Sequence, residues 1–159
     1  MENSSARNMW GDFLDAHLEF AFEKAPQVLQ FSDNEQDADQ GADLVINNLK
    51  KAATFSLLGL QHRKEPLPKI GAFIVLTDWN GKAKCIIRTT AVKLKPFFSI
   101  TKEYAQLDGL GDKSLEYWKK FYWDYFSREL APFNRVPRDS MIVVCVEFEK
   151  VYGYYNHLP

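Results

Sequence analysis

Ala72-Phe73-Ile74-Val75-Leu76-Thr77, then Asn80-Gly81, then Lys84-Cys85-Ile86-Ile87-Arg88-Thr89-Thr90-Ala91-Val92 is the stretch that decides the fold. Two apolar runs rich in β-branched residues flank an Asn-Gly pair, the dipeptide that most readily supplies the two positive φ angles of a tight hairpin. A hairpin joins antiparallel neighbours, whereas parallel strands need a crossover of a dozen or more residues. The pattern predicts antiparallel pairing in the middle of the chain.

Working outward, Met141 to Tyr152 alternates around Ile142, Val144, Val146 and Phe148, which predicts a closing strand. On the other side, Ala53-Thr54-Phe55-Ser56-Leu57-Leu58 reads as a strand. The residues from Gly59 to Lys69, with Pro66, Pro68, His62, Arg63, Lys64 and Glu65, read as a loop with a basic centre. Trp10, Phe13, Leu14, Leu18 and Ala21 recur at helical spacing over residues 9–22, and Pro26 ends that helix. Asp33 followed by Gln36 is a capping pair for a second helix that buries Leu44, Val45 and Leu49 and ends near Lys50. Phe97 to Leu107 reads as a short helix or turn. Gly109-Leu110-Gly111-Asp112 then leads into a helix over 113–130, capped by Asp112 and stopped at Ala131-Pro132, with seven aromatic residues between Tyr117 and Phe126. Helices first, then strands interrupted by one helix, give an α+β class. Its curled, mostly antiparallel sheet would contain residues 53–58, 72–78, 83–95 and 141–151.

The length of 159 residues and 46% hydrophobic content fit one domain with one substantial core. A net charge of −1 supplies no whole-chain field for nucleic acid or an anionic membrane, so binding of that kind must come from a local patch. Charge is segregated, however, because Ala25 to Leu49 carries Asp33, Glu35, Asp37, Asp39 and Asp43 without any Lys or Arg. Cys85 and Cys145 lie inside apolar runs with no Cys-x-x-Cys partner, which predicts two buried free thiols and fits a reducing cytoplasm. No apolar run approaches the roughly 20 residues that cross a bilayer, and the N-terminal residues are charged where a signal peptide is apolar. A soluble cytoplasmic protein without a membrane partner is expected. His17, His62 and His157 stand far apart, outside any recognised ligand spacing, so no metal and no cofactor is expected.

Lys50-Lys51-Ala52-Ala53-Thr54 is the most interesting local group. It sets a lysine three residues before a threonine where a helix gives way to a strand. A lysine among apolar neighbours can lose its proton near neutrality and activate a hydroxyl. Two lysines closing a helix also complement its dipole with no further role. Gly109-Leu110-Gly111 could offer amides to an anion, but Asp112 already caps that helix start. The aromatic residues of the following helix cover nearly its full circumference, so some face a cleft or a protein partner.

Taken together the pattern resembles the ASCH family, whose fold is related to the PUA RNA-binding barrel. The matching pieces run in order: Met9-Trp10, Phe31-Ser32-Asp33, Lys50-Lys51-x-Ala53-Thr54-x-Ser56-Leu57-Leu58, Pro66-Leu67-Pro68-Lys69-Ile70-Gly71, Ile87-Arg88-Thr89-Thr90-x-Val92, Gly109-x-Gly111-Asp112-Lys113-Ser114-Leu115-Glu116-Tyr117-Trp118 and Trp123-x-Tyr125-Phe126-Ser127-Arg128-Glu129. The resemblance implies a PUA-like curled barrel with flanking helices, a single ASCH-like domain over residues 1–159. Its helical part would occupy about 8–50 and its barrel, with an inserted helix, about 51–152. It implies a cleft for RNA or a nucleotide- or nucleoside-like ligand, with Arg88, Ser56 and Trp118 as ligand contacts beside Lys51. For some members it implies hydrolysis, either of RNA or of an acyl amide on a modified cytidine. In that role Lys51 would be the general base, Thr54 the nucleophile and Asp108 the proton carrier. The chain departs from the family where glutamate is usual, at Asp108 and Leu110, and at Leu49 and Tyr122, where glycine and histidine are common. Aspartate shortens the reach by one methylene, and a misplacement of ~1 Å can cost on the order of 10²-fold in rate. The binding reading leads, the amidohydrolase reading follows, and a protein partner on the aromatic helix is the third.

Overall fold

In the computed structural model, which describes residues 1–154, five strands form one mixed, curled sheet with five helices flanking it. His157 lies outside the described residues. The strands are β1 (Gln27–Leu29), β2 (Ala52–Ser56), β3 (Phe73–Thr77), β4 (Ala83–Pro96) and β5 (Ile142–Tyr152), in the order β1-β3-β4-β5-β2. The α+β class and the curled sheet agree with the sequence pattern. The mixing comes from β1, which pairs parallel with β3 at Val28↔Val75. Three residues after Pro26 are too few to show a period, so this strand is invisible in the sequence.

β3 and β4 pair antiparallel, with Val75 opposite Ile86. Of the Asn80-Gly81 pair only Gly81 takes a positive φ, 84°. The connection is wider than a two-residue turn because Asp78 organises it. Its carbonyl accepts from Gly81 N at 3.0 Å and its carboxylate from Lys82 N at 2.9 Å, a side-chain-to-backbone turn typical of aspartate.

Helix boundaries shift for similar reasons. Asn3 caps α1 (Ser4–Ala16), accepting from Ala6 N at 2.9 Å, so the first helix starts and ends earlier than its apolar spacing suggests. Asn34, not Asp33, caps α2 (Glu35–Ile46), and Asn48 at φ 59° turns the chain before Lys50. Ser56 accepts from Gly59 N at 2.9 Å, which ends β2 and makes Leu57–His62 a short helix, α3, where strand and loop were expected. α4 spans Lys102–Asp108. α5 (Leu115–Leu130) is capped by Ser114 rather than Asp112, since Lys113 at φ 67° interrupts the helical backbone and Asp112 instead accepts from Ser114 N.

The chain forms two compact units that interleave in sequence. Among the described residues the first comprises 1–48, 71–88 and 149–154, and the second 49–70 and 89–148. In the first, Met9, Trp10 and Phe13 of α1 pack on Phe73, Val75 and Ile86. In the second, α5 presents Trp118, Tyr122, Phe126 and Leu130 at four-residue spacing, and the first three pack with Phe97, Ile100, Ala105 and Val143. Each such aromatic, once fully buried, contributes about 1.5–3 kcal/mol. Among the described residues no helix is long and apolar enough to cross a membrane.

Candidate functional site: a buried carboxylate cluster in the second unit

Asp108, the last residue of α4, has no accessible surface. A carboxylate there is tolerable only if paired and hydrogen-bonded. Its Oδ1 forms an ion pair with the Lys50 ammonium, itself only 3% exposed. Its Oδ2 accepts from Trp118 Nε1 at 3.0 Å and from Thr54 Oγ1 at 3.3 Å. The Tyr104 hydroxyl lies 3.0 Å from Thr54 Oγ1 and donates to the Ala53 carbonyl at 2.9 Å. With the tyrosine proton directed to that carbonyl, the threonine proton is left for the tyrosine oxygen or the carboxylate. Burial, reinforced by the Asp108 charge, raises the ionisation of Tyr104 and of Tyr122 far above the usual tyrosine range, so both remain donors.

Backbone geometry brings these groups together. Gly109 closes α4 at φ 75°, and a Cβ there would sit 2.1 Å from the Leu49 carbonyl oxygen, so only glycine lets the helix end abut the segment carrying Lys50. Lys51 N donates to Leu107 O at 2.7 Å, and the Lys51 carbonyl accepts from Phe148 N at 3.1 Å, extending the β2–β5 ladder by one residue. In an extended segment alternate residues share a face. Lys50 therefore falls on the side of Thr54, and Lys51 is exposed. The lysine that meets Asp108 is Lys50, not Lys51.

The other expected contacts have different surroundings. Trp118 is 1% exposed and donates inward to Asp108, leaving no open face for stacking. Ser56 is fully buried, and its hydroxyl donates to Glu129 Oε1 at 2.6 Å. Arg63 Nη1 holds the other Glu129 oxygen at 2.7 Å, tying α3 to α5. Arg88 belongs to the first unit, where its Nε donates to Gly71 O at 3.1 Å and its guanidinium lies 4.7 Å and 5.1 Å from the Phe73 and Phe20 ring centroids. Lys50 and Tyr104 were not read as site residues. Strand parity with Thr54 is the signal that could find Lys50, and no sequence signal points to Tyr104. Among the described residues no three His, Cys, Asp or Glu side chains gather as a metal site.

Charge also divides by unit. The second unit holds fourteen Lys and Arg against nine Asp and Glu, a formal +5, while the first holds six against twelve, a formal −6.

The model of the ASCH domain matches residues 27–152. No curated protein matches the chain. Among solved structures, the chain is similar to the ASCH domain from Lactobacillus crispatus JV V101, with 27% identity, coverage of 93% of this chain and 94% of that one, and a TM-score of 0.88. It is also similar to a protein from Enterococcus faecalis V583, at 28% identity, 97% and 98% coverage and a TM-score of 0.85. With the domain model spanning most of its length and the fold shared at this coverage, the chain belongs to the ASCH domain family.

Proposed function

We propose that this ASCH chain is a binding module for RNA or a nucleotide-like ligand, with the second unit supplying the attraction for phosphate. The observation that carries this is the formal +5 of that unit, which the near-neutral total conceals. Phosphates are met by Lys and Arg, and single-stranded bases by aromatic faces. Within residues 89–102 there is no acidic residue, and Lys93, Lys95 and Lys102 flank Phe98, which is 62% exposed. Phe98 is thus the stacking surface in this reading, in place of the buried Trp118. Lys51, exposed beside the Lys50–Asp108 pair, adds a phosphate contact. The buried cluster serves as the anchor that fixes the segment carrying Lys51. Titrating a labelled single-stranded oligoribonucleotide at rising salt tests this, since each phosphate neutralised on a single strand contributes a slope of about −0.7 to log K against log salt.

One observation favours a second reading, hydrolysis of an acylated cytidine-like amide: Thr54 Oγ1 lies 3.3 Å from the Asp108 carboxylate that holds Lys50. In that reading Thr54 is the nucleophile, Asp108 carries the proton, and the amine role passes from Lys51 to Lys50. Release of the free nucleoside by wild type, and its loss in Thr54→Val, is the test.

A further inference from the structure

The outward side of α5 is unlike the rest of its unit. Two adjacent grooves run along it, of about 540 Å³ and 420 Å³, and they share Glu116, Lys120 and Asp124. Asp112 lines the smaller and Asp139 the larger, so four of the unit's nine carboxylates line the pair of grooves. Two lysines, Lys119 and Lys120, are there too, but Lys120 Nζ is already paired with Asp124 Oδ2 at 3.1 Å. Between the carboxylates stand aromatic rings. Tyr117 is 43% exposed and stacks on Phe121, with ring centroids 6.5 Å apart. Trp123 is half-buried, its ring edge-on to Phe97.

We infer that this face is a docking surface for an arginine-bearing basic peptide segment of a partner protein, opposite in charge to the proposed RNA surface. Charge complementarity decides the occupant. The lining carries four carboxylates against two lysines, a formal −2, so phosphate is disfavoured, whereas a guanidinium finds carboxylates to bridge beside partly exposed aromatic rings. Arginine does both at once, because its planar fork stacks and bonds, and lysine does not. Removing these residues from the count leaves the remainder of the unit still more basic, so the acidic grooves and the RNA surface attract opposite partners.

The test uses the full chain and fluorescein-labelled hexa-arginine and hexa-lysine, followed by anisotropy. Hexa-arginine should bind several-fold more tightly than hexa-lysine. Glu116→Lys/Asp124→Lys should weaken hexa-arginine by about tenfold or more, as loss of close charge pairs does. Asp15→Lys/Glu23→Lys, an equal charge change at exposed positions of the first unit, should change it less than twofold. Glu116→Gln, which only removes one charge, should give an intermediate loss, so the result stands even if the double lysine variant folds poorly. RNA affinity should be unchanged or higher in all three. Equal losses in the two lysine variants, or no loss at Glu116, would mean diffuse attraction to an acidic surface and would overturn the assignment. So would equal affinity for the two peptides.

Discussion

Trp118 donates its indole N–H to Asp108 across 3.0 Å, joining the aromatic helix to the residue that closes α4. The same carboxylate holds Lys50 and Thr54, so one buried anion organises three segments of the second unit. The glycines on either side of Leu110 answer to other contacts: Gly109 lets the end of α4 abut the Leu49 carbonyl, and Gly111, at φ 56°, lies against the Tyr117 ring.

Breaking that pair from one side should be severe. Asp108→Ala removes the carboxylate that the buried Lys50 ammonium meets, a loss of about 3–5 kcal/mol, and Lys50→Met/Asp108→Leu should recover only the part owed to the buried charge, since the Trp118 and Thr54 donors still lose their acceptor. Lys51→Ala, at an exposed side chain, should stay within about 0.5 kcal/mol of wild type. Urea denaturation of the four proteins measures all of this.

Gly109→Ala should lower stability more than Gly81→Ala. Both positions have positive φ, but a Cβ at 109 would meet the Leu49 carbonyl oxygen at 2.1 Å, whereas at 81 its nearest neighbour is the Asn3 side chain at 3.3 Å. The strained φ alone costs about 1–2 kcal/mol, and the backbone clash adds to it only at 109. Thermal melts of the two variants give the comparison.

Burial pushes the Cys85 thiol up to about 12 and the Cys145 thiol up to about 11. In the folded chain both stay protonated at pH 8, so iodoacetamide should modify neither until the protein unfolds. The linkage has a definite sign. Above the ordinary thiol value of 9.0 the unfolded chain releases these protons and the folded chain keeps them, so stability should fall as pH rises from about 9 toward 11. Urea midpoints at pH 8 and pH 10 should show that decline.

Much of this was legible in the residues, and the failures have physical causes. β3 and β4 showed as apolar runs around Asn80-Gly81, β3 being buried along its whole length, and β5 showed by alternation. The ASCH resemblance grouped Lys51, Thr54 and Asp108, with Trp118 as a ligand contact; in the structure Thr54 and Trp118 both bond Asp108, and Lys50 is the lysine paired with it. Caps were misplaced because Asp33 and Asn34, and likewise Asp112 and Ser114, are all good capping residues, and only the left-handed turn at Lys113 decides the second case. The spacing to Thr54 singles out Lys51, but which lysine reaches Asp108 is not a matter of spacing. The decision belongs to strand parity, fixed by the Lys51 to Phe148 pairing. The basic second unit was hidden because its residues 49–70 and 89–148 are separated in sequence by part of the first.

The most direct measurement of the binding account is the affinity of a short single-stranded oligoribonucleotide for wild type, Lys51→Glu and Phe98→Ala, each at about 50 mM and 200 mM salt. The account predicts binding that weakens with salt, a smaller salt slope for Lys51→Glu, and a loss of about 1–3 kcal/mol for Phe98→Ala from one unstacked base. Absence of binding at low salt, or affinities that neither substitution changes, would contradict it.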